Sequence, residues 1–326
     1  MSQPVNATPG ASNSGAPVLA EVVRSGFVEG RHRGSVVLLA ADGTVEWALG
    51  DVTSPVFPRS ANKPMQAAGV LRAGLDLGGE RLALAAASHS GEPFHRDLVR
   101  AMLDEHGLTP QHLRCPPSLP LDPEEQEAWL AAGGRRDRVA MNCSGKHTAM
   151  LAAAALRDWP LESYLDPDHP LQRVIRTVVE EAAGEPVAAV GVDGCGAPLM
   201  AISLTGLARA FRSFVLAVPG TPGRRVADAM RAHPEYVAGT HRHDTWLMRG
   251  IPGVLSKVGA EAVQALALPD GRSLALKLED GSARALGPVL ARALRLMGVT
   301  APVVDRVGRT PVLGGGQEVG EVRAVF

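Results

Sequence analysis

Residues 19–51 read LAEVVRSGFVEGRHRGSVVLLAADGTVEWALGD, and this stretch decides the fold. Its short β-branched runs are broken at Gly30, Gly34 and the Asp42-Gly43 pair, the pattern of strands joined through a hairpin. The other end of the chain answers it: Gly253 to Val258, Ser273 to Leu278 and Glu318 to Val325 read as further strands. Between the two ends the pattern turns helical. Met65, Ala68, Leu71 and Leu75 recur at helical spacing, Leu82 to Ala87 is Ala-rich, and residues 92–107 place Phe94, Leu98, Met102 and Leu103 on one side. Further helices are expected from Cys143, over Leu171 to Ala183, from Met200 to Ala217, over Pro222 to Ala232 and over Leu286 to Met297, with a strand at 187–192 and a Pro-rich loop over Cys115 to Pro123. Strands at both ends around a helical middle predict an α/β fold of the α+β type, an antiparallel sheet built from both chain ends, flanked by helices and carrying an inserted helical region. The expected division is a flexible tail over 1–17 and a single domain over 18–326, with its sheet part at about 18–95 and 215–326 and its helical part at about 96–214.

Composition narrows the function. The 326 residues are 45% hydrophobic and 21% charged with a net charge of −1, the balance of a globular protein that buries a full core. Charges of both signs are interspersed, so nothing is built to hold a phosphate backbone, and no nucleic-acid partner is expected. Apolar runs such as Ala149 to Leu156 are too short to cross a membrane. The first residues show no basic-then-apolar leader, and the three cysteines are an odd number, so a reducing, cytoplasmic setting without disulfides is expected. One bias stands out: the chain has four lysines against 29 arginines. Arginine cannot give up its proton near neutral pH, whereas a desolvated lysine can, so Lys63, Lys146, Lys257 and Lys277 invite attention.

Ser60-Ala61-Asn62-Lys63 places a hydroxyl and an amine at i and i+3 of an expected helix start, within mutual reach on one face. A neutral lysine beside a serine can take its proton during attack on a carbonyl, and the helix N-terminus favours a developing oxyanion. The same four residues also describe a capping serine followed by a solvent-facing lysine. Ser88-His89-Ser90-Gly91-Glu92 suits a cavity-lining loop or a decorated helix end. Lys257 leaves an apolar strand just before Gly259, as a cleft lysine would, or as an edge lysine that deters aggregation would. Cys143 and Lys146 share a helix start, and Cys195 sits in the glycine-rich Asp193-Gly194-Cys195-Gly196 turn. Two thiolates with an amine would satisfy a tetrahedral zinc, although two small buried cysteines fit the same spacing. His241 and His243, in GTHRHDTW, read as a solvated loop.

In order along the chain, PRSANKPMQ, ASHSGEP, NCSGKH, GVDGCGAP and SKVGAE together resemble the bacterial asparaginase II family, over almost the whole ordered chain. The resemblance implies a fold similar to serine β-lactamases, penicillin-binding proteins and glutaminases. It implies two serine–lysine pairs, Ser60 with Lys63 and Ser88 with Lys257, Ser88 and Ser90 being too close to separate by sequence. It also implies a zinc held by Cys143, Lys146 and Cys195 with Asp193 nearby. Arg59, Asp193, His89 and Glu92 are expected to bind substrate. The expected activity is hydrolysis of L-asparagine to L-aspartate and ammonia by a homodimer. A penicillin-binding or β-lactamase-like hydrolase and a non-catalytic zinc-binding protein are the alternatives, and Lys257-Val258-Gly259 only echoes the K-T-G of β-lactamases.

Overall fold

The computed structural model describes residues 15–326; the expected tail falls almost wholly outside them. Eleven strands are described: β1 (Val18–Arg24), β2 (Phe27–Leu39), β3 (Val45–Leu49), β4 (Pro55–Val56), β5 (Ala189–Val192), β6 (Pro198–Ser203), β7 (Leu255–Gly259), β8 (Val263–Ala267), β9 (Ser273–Leu278), β10 (Pro311–Gly314) and β11 (Gln317–Ala324). The large sheet runs β10-β11-β1-β2-β9-β8-β7, antiparallel throughout, with β3 added alongside β2. Both chain ends meet in it, because β1 pairs with β11 in the register Ala20↔Ala324 to Arg24↔Gly320. The fold is therefore α/β of the α+β type.

The 13-residue β2 explains why residues 19–51 carry so much of the architecture. Its first half pairs with β1, and its second half, from Gly34 on, pairs with β9 and β3. At Gly34 the chains approach so closely that a Cβ would stand 2.1 Å from the Lys277 carbonyl oxygen, so only glycine lets the strand change partners there.

The helices are α1 (Lys63–Arg72), α2 (Gly79–Ala85), α3 (Pro93–Asp104), α4 (Pro123–Ala131), α5 (Ser144–Leu156), α6 (Pro170–Ala183), α7 (Leu204–Leu216), α8 (Pro222–Ala232), α9 (Pro234–Val237), α10 (His243–Gly250), α11 (Leu286–Leu296) and α12 (Pro302–Gly308). Helices α7 and α11 both pack on β8 and β9. Every residue of β8 is buried, as expected of a strand covered on both faces. This is why VQALA lacks the alternation that marks a half-exposed strand, and why sequence reading passed over it.

Among the other helices, α1 packs on α6 and α8, α2 on α5 and α8, and α12 on α11 and α10. Residues Ser144 to Ala154 of α5 are all buried, an arrangement that its alanines and Gly145 permit by letting neighbours come close. Two expectations need correction. Met200 does not open a helix: Pro198–Ser203 is β6, hairpinned to β5, and α7 starts only at Leu204, where the Ser203 side chain accepts from the Gly206 N–H. GTHRHDTW is not a solvated loop either, since its second half forms α10 and buries Asp244 and Thr245.

Candidate active site

Ser60 lies in a 3₁₀ turn, Arg59–Asn62, and not at an α-helix cap. The turn starts under strain, with Arg59 at φ 51°, and Glu261 and Ala262 on the facing hairpin also have positive φ. Gly259 of β7 presses on the turn: a Cβ there would come within 2.4 Å of the Pro58 carbonyl oxygen. Glycine thus brings the strand that carries Lys257 against the segment that carries Ser60.

The Ser60–Lys63 link runs through the backbone, Lys63 N–H to the Ser60 carbonyl. The Lys63 amine reaches elsewhere. It donates to the Ala87 carbonyl at 2.5 Å, to Ser88 Oγ at 2.9 Å and to Cys143 Sγ at 3.1 Å. Ser88 comes from the segment after α2, which is held extended by Ser88 N–H to Val237 O and His89 N–H to Asn142 O. Its hydroxyl also receives the Lys257 amine at 3.0 Å, so one oxygen bridges two buried lysines. Ser90 is separated from this group, donating to the Ala238 carbonyl. Burial, and to a lesser degree the charge of Lys63, pulls Lys257 down to about 7, while Asp244 opposes the shift. Near neutral pH this lysine can therefore exist uncharged, the state that a proton acceptor requires.

A second polar cluster adjoins the first. Lys146 Nζ donates to Cys195 Sγ at 3.1 Å, and Cys195 lies 3.4 Å from Asp193 Oδ2. The hydrogen bond between Cys143 and Cys195, with burial, pushes the Cys143 thiol up, whereas the same bond, helped by Lys146 and His147, pulls Cys195 down against burial. Burial lowers Lys146, but the charges of Cys195 and Cys143, the hydrogen bond to Cys195 and the charge of Asp193 together outweigh it and raise the amine. All three cysteines are free. Among the described residues no three His, Cys, Asp or Glu side chains gather to hold a metal. A metal between Cys143 and Cys195 would have to recruit the Lys146 amine, displacing protons from Lys146 and Cys143.

The serines open on a cavity of about 260 Å³ that Asn142, Arg242, Gly259, Glu261 and Leu286 also line. A larger cleft of about 500 Å³ lies beside it, among Phe57, Arg59, Val192, Glu261 and Lys277. Of the two, only the smaller is lined by both serines. Arg59, Asp193, His89 and Glu92, expected to bind substrate, do not line it. Arg59 and Asp193 form an ion pair at 2.7 Å. His89, wholly buried, bonds Ser144 Oγ at 2.9 Å and stacks on His95. Burial, reinforced by His95 and Lys63, pushes it well below the usual histidine range. Glu92 accepts from the Thr240 N–H and hydroxyl. Sequence reading gave no role to Asn142 of NCSGKH or Glu261 of SKVGAE and passed over Arg242 and Asp244. Arg242 and Asp244 lay in a segment with no apolar period, so no local signal marked them.

The chain matches the L-asparaginase II family over residues 20–324 and belongs to it. A comparison with curated proteins gave no match. Among solved structures, the native form of Mglu is similar at 16% identity and a TM-score of 0.45, covering 82% of this chain, which spans 64% of the Mglu chain. A β-lactamase from Mycobacterium bovis is similar at 16% identity and a TM-score of 0.48, over 87% of this chain and 96% of that one. Likenesses this weak say nothing of chemistry. Among the described residues no helix is long and apolar enough to cross a membrane.

Proposed function

We propose that this chain is an L-asparaginase of the cytoplasm, acting as a homodimer and hydrolysing L-asparagine to L-aspartate and ammonia through a serine ester. The observation that carries this reading is the buried row Lys63–Ser88–Lys257, hydrogen-bonded at 2.9 and 3.0 Å beside the cavity that Ser60 lines. With Lys257 uncharged the row has room for one proton. Ser60 Oγ attacks the side-chain amide carbon, the C–O bond forms and the hydroxyl proton enters the row. The C–N bond then breaks, and a proton from the row leaves on the nitrogen as ammonia. Water repeats the sequence on the ester and frees aspartate. Arg242 and Glu261 give the cavity one charge of each sign, the complement of the α-carboxylate and α-ammonium of an amino acid.

Zinc belongs to the proposal as a ligand of Cys143, Lys146 and Cys195, a donor set of two sulfurs and an amine that suits it. When bound it would supply positive charge beside the row. Metal analysis of the purified protein, with thermal stability measured before and after chelation, tests this part alone.

A second reading places the nucleophile at Ser88, because both amines bond to that hydroxyl. Ser60 is the more accessible, 9% exposed against 4%. Ammonia release from asparagine, glutamine and a simple nitrile, followed in wild type, Ser60→Ala and Ser88→Ala, decides between them. Turnover retained by Ser60→Ala moves the nucleophile to Ser88. Labelling by a fluorescent penicillin without ammonia release would replace the asparaginase reading by a penicillin-binding one.

A further inference from the structure

Beneath Lys257 lies a polar network that the reaction described so far does not use. Asp244, in the first turn of α10, is 1% exposed, and Ser256, Lys257 and Gln264 are wholly buried. Asp244 Oδ1 accepts from Ser256 Oγ at 2.8 Å and from Gln264 Nε2 at 3.1 Å, and Oδ2 accepts from the Val258 N–H at 2.8 Å. Gln264 also donates to Ser256 Oγ at 2.9 Å, which ties β8 to β7 beneath the carboxylate. A carboxylate offers about four acceptor directions. Three are filled, and Oδ2 stands 4.0 Å from the Lys257 amine.

Val258 is held through both of its backbone groups: its N–H by Asp244 and its carbonyl by the Lys257 amine at 2.7 Å. We propose that Asp244 is the positioning residue of Lys257, clamping the β7 residue whose carbonyl receives the amine and so holding the amine against the Ser88 hydroxyl. This inference rests on the reading of Lys63–Ser88–Lys257 as the proton row. The 4.0 Å gap has a chemical consequence. A direct charge-assisted hydrogen bond would fix the lysine as an ammonium, whereas a carboxylate just out of contact offsets part of the burial penalty and leaves the amine able to discharge.

The charged and titratable groups that face this amine are Asp244 and Arg242 of the α10 segment, Lys63 of α1 and Cys143 ahead of α5. Asp244 and Cys143 favour the charged amine; Lys63 and Arg242 oppose it.

The test uses the full chain labelled with ¹⁵N-lysine, whose four lysines give four Nζ signals to titrate, alongside the pH profile of kcat/KM for ammonia release. Wild-type Lys257 is expected to titrate near pH 7. Asp244→Asn removes a charge at this range and is expected to move that titration, and the ascending limb of kcat/KM, down by about one pH unit or more. Asp244→Glu closes the gap and is expected to move both upward. Should neither variant fold, Ser256→Ala serves, because it leaves the charge with one hydrogen bond fewer and is expected to give a smaller upward shift.

A purely structural Asp244 would lower thermal stability and kcat while leaving the titration and the limb in place, and that result overturns the proposal. The Nζ titration needs no turnover. If the variants shift it but wild type releases no ammonia from asparagine, Asp244 positions Lys257 and the asparaginase reading falls. If wild type is active and neither signal moves, the asparaginase reading stands and the inference falls.

Discussion

Two serine–lysine pairs meet at this site, and they invert what sequence distance suggests. Ser60 and Lys63 are neighbours on one turn, yet their side chains are not bonded to each other: the amine of Lys63 goes to Ala87, Ser88 and Cys143. Ser88 and Lys257 are 169 residues apart and lie 3.0 Å from one another. Local spacing places backbones; it does not choose the acceptor of a four-carbon side chain that can swing through the core. The choice falls to burial. An amine removed from water must bond every acceptor it can reach, and the segment after α2 supplies a carbonyl and a hydroxyl together.

The largest effect that separates the pairs is the loss of each hydroxyl. Ser60→Ala is expected to reduce ammonia release by on the order of 10⁴-fold, the cost of a missing nucleophile, while Ser88→Ala should reduce it by about 10²–10³-fold, the cost of a broken relay. Steady-state rates, checked against unchanged thermal unfolding, give the ratio. Equal losses would merge the two roles, and a reversed order would exchange them.

Next in size is the charge of the distant lysine. Lys257→Arg keeps a positive charge but cannot discharge near pH 7, and its fork does not match one hydroxyl and one carbonyl. A fall of about 10²–10³-fold in kcat is expected. The wild-type profile sharpens the same point. Burial lowers Lys257 to about 7, so it is uncharged above that pH and charged below. Activity should therefore fall as pH drops through about 7, approaching tenfold per unit, and hold on the alkaline side until another group titrates. A limb near pH 10 would show that Lys257 acts as a permanent charge and not as an acceptor.

How much of this was legible follows from the same contrast. The sheet from both chain ends could be read because β2 carries valines between turn residues and β9 and β11 are short apolar-containing segments bounded by turn residues. The strand β8 could not, since covering both faces removes the alternation that betrays a strand. Motifs and the scarcity of lysine singled out Ser60, Lys63, Ser88, Lys257, Cys143, Lys146 and Cys195; the structure brings the polar atoms of all but Ser60 into two adjoining clusters, and Ser60 lines the cavity beside them. The cavity-lining Arg242 and the buried Asp244 carry no local mark, and Glu261, although it closes SKVGAE, had no role read into it. What makes them matter is the cavity or the amine they meet, and both are set by contacts between α10, β7 and the β7–β8 turn. Glu92 presents the opposite case: it sits inside a motif, but its carboxylate accepts from Thr240 and does not line the cavity.

The smallest expected effect tests whether Glu92 binds substrate. Glu92 holds the Thr240 N–H at 2.8 Å and the hydroxyl at 2.6 Å, tying the Ser88 segment to the residues that lead into α10. Glu92→Gln keeps the shape and one acceptor but loses the charge. It is expected to cost about 1 kcal/mol of stability, seen as a small fall in the chemical-denaturation midpoint, with KM for asparagine within about twofold of wild type. A substrate-binding Glu92 would reverse the pattern, raising KM about tenfold or more at unchanged stability, because losing a charged contact to the substrate's ammonium weakens binding without touching the fold. The two outcomes differ in which measurement moves, so the variant separates a strut from a contact even though either effect is small beside those of Ser60 and Lys257.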